Sequence, residues 1–399
     1  MNEQISEPFK DHDYPRRIDQ IQPFLAMEIL EKAQQLESKG FSIIHMELGE
    51  PGGETPKAIK EAAVKAIQDN ETCYTHSLGK MALREEISAY HKRLYGVSIS
   101  PEQIIVTSGS SAAMLLAFSV LLDQNDLMIT SDPYYACYPN FIRYVGAEPL
   151  PVPVYEEDAF KIKASEVRKN LNSKVKGILI NSPANPTGAV LGEIELQELS
   201  ELGLWIVSDE VYHGINYGGR DHSILEFTDR AMVINGFSKR NIMTGWRLGY
   251  LIAPPDMVKK MQKLQQNLFI CSCNFIQSAG IAALQETPDT LDKRFSDYNE
   301  RRLYLYQALD NMGIAPTRLP DGAFYMLANV KKYTNDSYSF ALSLLEKSGV
   351  AVTPGIDFGP GAEGYIRLSY ACSMENLKEG LSRLESHLKT LNPFSYNSG

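Results

Sequence analysis

Cysteine is scarce in this sequence of 399 residues, and its spacing does not fit a metal site. The number of cysteines is odd, and only Cys271 and Cys273 lie close together. This pair has neither a second pair nor the histidines that a zinc site needs. We therefore predict no bound metal and reduced thiols in a cytoplasmic protein. The five cysteines are Cys73, Cys137, Cys271, Cys273 and Cys372.

The sequence also lacks a long uncharged apolar run. Its opening, "MNEQISEPFKDHDYPRRIDQ", is polar and mixed in charge, and no later segment approaches a membrane span. Basic residues are outnumbered, with 39 Lys and Arg against 49 Asp and Glu, for a net charge of −10. This balance argues against nucleic acid or an anionic membrane as the main partner. It allows a small anionic ligand, which needs only a local positive site.

What the chain does contain is a series of short apolar segments. Hydrophobic residues make up 44% of it, enough for a large core. Helix-like segments at 80–95 and 110–122 lie among the apolar ones, so we expect an α/β fold with a mostly parallel (mixed) central sheet flanked by helices. Continuous β-branched runs predict strands buried on both faces. These runs are 103–109, 126–132, 177–183, 204–210, 231–238 and 247–253.

The C-terminal part has a different pattern. "GYIRLSYA" is typical of a strand, and residues 298–312 are typical of a helix. A leucine stripe after Ser373, a candidate N-cap, predicts the last helix. These elements indicate a smaller α+β domain built from both ends of the chain. The predicted division is an N-terminal arm at 1–13, a large domain at 54–290, and a small domain from 14–53 and 291–399.

Polar groups follow several predicted strands, and ligands of open α/β sheets bind beyond the carboxyl ends of the strands. Gly109 leads into a helix start whose amides and hydroxyls suit a phosphate. Asp209 closes a strand so apolar that an unpaired carboxylate there would be costly. Lys239 follows the next apolar run. Taken singly, the segment after Gly109 also fits an ordinary capped helix. The tyrosines at 134–138 also fit core aromatics, although one of them could lie flat on a ring, and "NSPANPTG" also fits a structural turn.

Together these groups match one cofactor, pyridoxal 5′-phosphate. Its phosphate needs donors and a guanidinium, its ring needs stacking, its pyridine nitrogen needs an anion, and its aldehyde needs a lysine. "SKRNIMTGWRLGY" (238–250) resembles the lysine motif of the class I/II aminotransferases, the aspartate-aminotransferase-like enzymes of fold type I. The same family is matched in the same order, over residues 15–390, by "ELGEPGGETP", "YTHSLGKMALREEI", "TSGSSAAM", "NSPANPTG", "SDEVY" and "GYIRLSYA".

The resemblance implies a role for each matching residue. Lys239 resembles the lysine that forms a Schiff base with the cofactor, and Asp209 resembles the acid that pairs with its pyridine nitrogen. Arg367 resembles the arginine that grips the substrate α-carboxylate. Tyr74 resembles a tyrosine that reaches the phosphate from a neighbouring subunit, which implies a homodimer with shared active sites. The other implied residues are Ser110, Ser111, Ala112, Ser238 and Arg247 for the phosphate, Tyr135 for ring stacking, Asn185 and the catalytic Tyr212 for the phenolic oxygen, and Gly49 with Asn185 for the substrate.

The implied function is transfer of an amino group from an L-amino acid to a 2-oxo acid, by a ping-pong mechanism through a Lys239 aldimine. A carbon–sulfur lyase or a cyclising synthase would use the same cofactor residues and is the alternative. A cofactor-binding regulator would need a basic DNA-binding domain, and we expect none beside the acidic N-terminus. The sequence has no clear second arginine for a distal carboxylate, so the amino donor stays open.

Four positions depart from the family pattern. Gly236 stands where many relatives have Ser or Thr, Met81 stands where proline is common, and Gly52 and Gly53 replace acidic or aromatic residues. These changes bear on substrate details more than on cofactor binding.

One further motif, "GPGAEG" at 359–364, satisfies the dinucleotide-binding pattern of glycines. That fingerprint must follow a strand and open a helix, whereas this segment precedes a predicted strand. We therefore expect a loop here and no nicotinamide-dependent dehydrogenase.

Overall fold

A computed structural model describes residues 16–285 and 288–393 of the chain. The strands in these ranges are β1 (Ile44–His45), β2 (Ile104–Thr107), β3 (Leu127–Asp132), β4 (Glu148–Pro153), β5 (Val175–Asn181), β6 (Trp205–Asp209), β7 (Ala231–Gly236), β8 (Gly249–Ile252), β9 (Tyr325–Asn329), β10 (Val350–Ala351), β11 (Thr353–Pro354) and β12 (Tyr365–Ser369). The helices are α1 (Arg16–Asp19), α2 (Leu25–Glu37), α3 (Lys57–Gln68), α4 (Met81–Tyr95), α5 (Ser110–Leu121), α6 (Tyr138–Tyr144), α7 (Ala164–Lys169), α8 (Glu193–Ser200), α9 (Pro255–Leu268), α10 (Asn274–Leu284), α11 (Pro288–Asn311), α12 (Ser337–Ser348) and α13 (Met374–Lys389).

Seven strands form the central sheet, in the order β2-β8-β7-β6-β5-β3-β4. β8 runs antiparallel to both of its neighbours, and the other pairs are parallel. Successive residues of β2 explain the continuous apolar pattern. Ile104 and Val106 pack into the core under one face of the sheet, and Ile105 packs into the core under the other. The predicted mixed, mostly parallel sheet flanked by helices is confirmed.

The edge strand β4 was not among the predicted strands. Its sequence, "EPLPVP", has proline at every second position, and proline cannot donate a ladder hydrogen bond. β4 pairs with β3 and is the last strand in the order of the sheet. An edge strand tolerates prolines because one side of its backbone needs no partner strand.

A second, three-stranded antiparallel sheet has the order β11-β12-β9 and lies in a separate apolar core. β12 matches the strand predicted from "GYIRLSYA", and Arg367 lies in its middle, opposite Leu327. Helix α13 closes this core with its leucine stripe. The hydroxyl of Ser373 accepts a hydrogen bond from the amide of Asn376, which confirms the predicted N-cap.

The domain boundaries drawn from the sequence stay a prediction. The core around β9 and β12 contains residues from both ends of the chain, together with Val211, Tyr212 and Ile215. The predicted arm at 1–13 lies outside the described residues. Residues 359–364 form a short turn before β12, as expected for a segment that is no dinucleotide fingerprint.

Candidate active site

A cavity of about 270 Å³ opens at the carboxyl ends of β5, β6 and β7, where the central sheet meets the three-stranded sheet. Parallel strands bring their carboxyl ends to one edge, so groups distant in sequence converge there. The cavity wall contains most of the residues implied by the family resemblance. They are Gly49, Ser110, Ser111, Tyr135, Asn185, Asp209, Tyr212, Ser238, Lys239, Arg247 and Arg367.

Lys239 follows β7 and points its amine into this cavity. Nζ donates a hydrogen bond to the carbonyl oxygen of Gly49 and lies 5.7 Å from the centre of the Tyr212 ring. Burial lowers the pKa of Lys239 to about 8, with a further contribution from the positive charge of Arg367. Arg247, which is nearer in sequence, contributes less than Arg367 does. The neutral amine, which is the nucleophile, is therefore far more populated near neutral pH than for an ordinary lysine.

This pKa predicts how attachment of an aldehyde to Lys239 depends on pH. Only the neutral amine attacks, and its fraction rises from about a tenth at pH 7 to about nine-tenths at pH 9 when the pKa is about 8. We expect the rate at which cofactor-free protein develops visible absorbance with pyridoxal phosphate to rise about tenfold over that interval and then level off. An ordinary lysine would show a rate still climbing at pH 10.

The cation beside Lys239 offers a control for this pH profile. Replacing Arg367 by methionine removes a positive charge that disfavours the ammonium form, so the midpoint moves to higher pH. The same change at Arg383, which is paired with Glu379 and does not line the cavity, leaves the midpoint in place. If the rate of cofactor attachment to the wild-type protein had its midpoint above pH 10, Lys239 would not have the lowered pKa assigned to it.

Asp209 ends β6 as a fully buried carboxylate. The hydroxyl of Tyr138 donates to Oδ2 at 2.7 Å, and the amide of Val211 donates to Oδ1 at 3.2 Å. Burial raises the pKa of Asp209 to about 6, although these hydrogen bonds and Lys239 act in the opposite direction. The carboxylate is thus mostly ionised at neutral pH and would gain from a cationic partner in the cavity.

An anion site lies at the start of α5. Gly109 has φ +80°, and a Cβ added there would lie 2.6 Å from a guanidinium nitrogen of Arg247. The absence of a side chain therefore lets Arg247 approach the helix N-terminus, where Ser110 and Ser111 line the cavity. Backbone amides, hydroxyls and a guanidinium at a helix N-terminus form a binding site for phosphate.

Arg367 is the largest of the fully buried side chains, with 1% of its surface exposed. Nη1 donates to Oδ1 of Asn185 at 2.9 Å, and Nη2 donates to Oγ1 of Thr353 at 2.9 Å and to the carbonyl of Glu47. Nε has no protein partner within the described ranges. The guanidinium also lies over two rings, with its carbon 4.5 Å from the centre of Tyr325 and 4.9 Å from the centre of Phe358. Such a held, partly unsatisfied guanidinium is suited to bind a carboxylate in two-point geometry.

Two implied residues lie away from the cavity wall. Ala112 is buried one turn into α5 and does not line the cavity. Tyr74 is 80% exposed and also does not line it, so its predicted role in a neighbouring subunit's site stays a prediction.

Several lining residues were not predicted as part of the site. Phe24 and Met27 come from the start of α2, and Tyr325 opens β9, which was not among the predicted strands. Tyr138, predicted only as a possible core aromatic, holds Asp209. These contacts join segments far apart in the sequence, 71 residues for Tyr138 and Asp209 and 113 for Tyr212 and Tyr325, and no local motif marks them.

A wider groove of about 680 Å³ adjoins the cavity and shares Leu48, Glu50 and Thr244 with it. Within residues 16–285 and 288–393, no group of His, Cys, Asp and Glu is placed to hold a metal ion. No helix in those ranges has an apolar stretch long enough to span a membrane.

Comparison with known proteins identifies the class. Residues 42–384 match the family model for aminotransferase class I and II. A (5-formylfuran-3-yl)methyl phosphate transaminase from Methanocaldococcus jannaschii is 39% identical over 378 residues, covering 94% of this chain and 99% of the relative. An aspartate aminotransferase from Pyrococcus horikoshii is 36% identical over 370 residues, covering 91% and 94%. The solved aspartate aminotransferase from Thermus thermophilus with maleate superimposes with a TM-score of 0.90 at 33% identity, covering 94% and 99% of the two chains.

The fold and the cavity thus define an α/β enzyme of the aspartate-aminotransferase kind. The chain belongs to the class I and II aminotransferases and is an aminotransferase. This family uses pyridoxal phosphate and acts on amino acids and 2-oxo acids. The relatives favour transamination over the carbon–sulfur lyase or cyclising synthase considered as the alternative.

Proposed function

We propose that this chain binds pyridoxal 5′-phosphate in the cavity and uses it to move an amino group from an L-amino acid to a 2-oxo acid. The observation that carries the proposal is the convergence of Lys239, Asp209 and Arg367 on one cavity. They come from the end of β7, the end of β6 and the middle of β12, so their meeting is a property of the fold rather than of one local motif.

The residues present fit the cofactor group by group. Arg247 and the N-terminus of α5, with Ser110, Ser111 and Ser238, would hold the phosphate. Buried Asp209 would pair with a protonated ring nitrogen, and the lysine amine would meet the aldehyde. Tyr135 would lie against the ring. Tyr212 and Asn185 would donate to the phenolic oxygen, since both have polar side-chain atoms at the cavity.

When bound, pyridoxal phosphate withdraws electrons from the α-carbon of an amino acid and thereby acidifies its Cα–H bond. Arg367 would bind the α-carboxylate and fix the orientation of that bond, with Gly49 beside it. Nζ of Lys239, with its pKa near 8, would accept the α-proton and later return it. Buried Arg367 and the wall around it would keep water from the reacting carbon. One product leaves before the second substrate enters, which gives ping-pong kinetics.

The subunit arrangement is a further part of the proposal. Tyr74 lies on the surface, with 80% of its area exposed, which supports a role towards a second copy of the chain rather than its own cavity. We propose a homodimer in which Tyr74 reaches the partner's phosphate site. The division into 54–290 and 14–53 with 291–399, and a cytoplasmic location, are proposed from the sequence.

A single half-reaction tests the proposed function. Holoenzyme mixed with one amino acid and no acceptor is expected to release one equivalent of 2-oxo acid per active site and then stop. Adding a 2-oxo acid restarts the reaction. A panel of donors, with 2-oxoglutarate and pyruvate as acceptors, identifies the substrates, and mass spectrometry of the released acid gives the stoichiometry.

Elimination chemistry would give a different result in the same assay. A lyase releases pyruvate and ammonia from cysteine conjugates continuously without an acceptor, and a cyclising synthase releases no 2-oxo acid from S-adenosylmethionine. Continuous product without acceptor, together with no transfer to any 2-oxo acid, would contradict the proposal.

A further inference from the structure

Two tyrosine hydroxyls meet at the cavity wall. Oη of Tyr212 lies 2.6 Å from Oη of Tyr325, and the rings are edge to face with centroids 5.6 Å apart. Tyr325 is completely buried, and both residues line the cavity. Tyr212 follows β6 of the central sheet, and Tyr325 is the first residue of β9 in the three-stranded sheet. The hydrogen bond therefore joins the two halves of the site.

Tyr325 also contacts the groups on either side of this bond. Its ring stacks on the guanidinium of Arg367 at 4.5 Å. Its hydroxyl lies against the backbone of Gly49, where an added Cβ would be 2.3 Å from Oη. The carbonyl of Gly49 accepts the hydrogen bond from Lys239. Tyr325 thus contacts Arg367, which is proposed to bind the carboxylate, and Tyr212, which is proposed to bind the phenolic oxygen. It also contacts Gly49, whose carbonyl holds the amine of Lys239.

The two hydroxyls carry one proton each, so the direction of donation matters. Among the residues that the structure describes, Tyr212 is the hydrogen-bond partner of Tyr325 Oη. Burial raises the pKa of Tyr325 to about 12 despite the opposing charge of Arg367, and it raises the pKa of Tyr212 well above 10. The phenolic oxygen of bound pyridoxal phosphate carries negative charge and can only accept a hydrogen bond. If Tyr212 donates its one proton to that oxygen, its hydroxyl accepts the hydrogen bond from Tyr325.

We propose that Tyr325 is a positioning residue that aims the hydroxyl of Tyr212 at the phenolic oxygen of pyridoxal phosphate and couples that contact to Arg367. The inference rests on the proposed function. A hydroxyl that accepts a hydrogen bond donates a stronger one, because each bond polarises the next. The titratable groups facing the pair from the surrounding elements are Arg367, Lys239, Tyr135, Tyr138, Tyr298 and Tyr370.

The test is the pH midpoint at which the visible absorbance of the bound cofactor changes. Donation to the phenolic oxygen stabilises its negative charge and lowers this midpoint. Tyr325→Phe keeps the ring and removes the hydroxyl, so the midpoint is expected to rise by about half a pH unit. Tyr212→Phe raises it further. In the Tyr212→Phe background the second change adds nothing, because Tyr325 acts through Tyr212.

Tyr370→Phe is the matched control. Tyr370 is another fully buried tyrosine of the same core, and its hydroxyl donates to the carbonyl of Ala323 at 3.0 Å. Its loss is expected to lower the melting temperature without moving the absorbance midpoint. Should Tyr325→Phe fold poorly, Tyr325→Leu gives the same shift, with a raised KM for the amino acid because Arg367 also loses its ring.

Two results would overturn the assignment of Tyr325. One is an unchanged midpoint in Tyr325→Phe at full cofactor occupancy. The other is an equal shift with and without the Tyr212 hydroxyl. Failure of the proposed function is distinguishable from both, because a wild-type protein that shows no visible band at any pH with added pyridoxal phosphate contradicts the cofactor assignment itself.

Discussion

Replacement of Lys239 by alanine lowers kcat about a thousandfold or more, the largest effect that we expect from any single substitution. The variant loses the amine that attacks the aldehyde and the base that takes the α-proton, and both functions depend on the same Nζ atom. Within residues 16–285 and 288–393, no second lysine lines the cavity to replace it. Steady-state transamination and the visible spectrum measure the two losses separately, because the spectrum reports attachment of the cofactor and turnover reports proton transfer.

Two variants control for trivial causes of inactivity. Lys239→Arg keeps the positive charge but supplies no neutral amine at neutral pH, so it is expected to be as inactive as Lys239→Ala. Lys260→Ala removes an exposed lysine of α9 and leaves activity unchanged. A Lys239→Ala enzyme within tenfold of wild type would remove this residue from the chemistry.

Replacement of Arg367 by lysine lowers kcat/KM for the amino acid about a hundred- to a thousandfold. The guanidinium packs against the rings of Tyr325 and Phe358, and a carboxylate would meet it at two points. A lysine ammonium cannot reproduce that fork. The loss of paired charge-assisted hydrogen bonds, about 3 to 4 kcal/mol in all, corresponds to the stated factor. Most of the change is expected in KM, with the visible spectrum of the resting enzyme retained.

Arg383→Lys is the matched control for this substitution. Arg383 of α13 is half-buried, pairs with Glu379 at 2.8 Å and donates to the carbonyls of Ser42 and Gly349, and it does not line the cavity. It should leave kcat and KM unchanged. Loss of kcat alone in Arg367→Lys, at unaltered KM, would contradict a carboxylate-binding role.

Much of the fold could be predicted because the central strands are buried on both faces. Each of β2, β3, β6, β7 and β8 lies within a predicted apolar run, and β5 begins two residues before its predicted run of 177–183. β4 was not predicted because its alternating prolines are compatible only with an edge strand, and whether a strand lies at an edge is a property of the assembled sheet. β9, with its continuous buried run, was missed because it lies in the second sheet, away from the strand-and-helix alternation.

Some features of the site could also be predicted from the strands, and others depend on how distant segments pack. Asp209 ends β6 and Lys239 lies shortly after β7, so their positions at the cavity follow from the sheet itself. The contacts that these residues make with distant side chains could not be predicted in the same way. Arg247 is close to Lys239 in the sequence, yet Arg367, over a hundred residues away, lowers the pKa of Lys239 more than Arg247 does. Likewise Tyr325 reaches Tyr212 only because two sheets pack together.

The central claim is that the cofactor binds covalently to the amine of Lys239. Borohydride treatment of the holoenzyme, followed by proteolysis and mass spectrometry of the peptides, tests it most directly, because reduction fixes the cofactor to the lysine that holds it. The account predicts one modified peptide, with the added mass on Lys239 and close to full occupancy. A cofactor found on another lysine, or a protein that stays unmodified while it catalyses transamination, would contradict it.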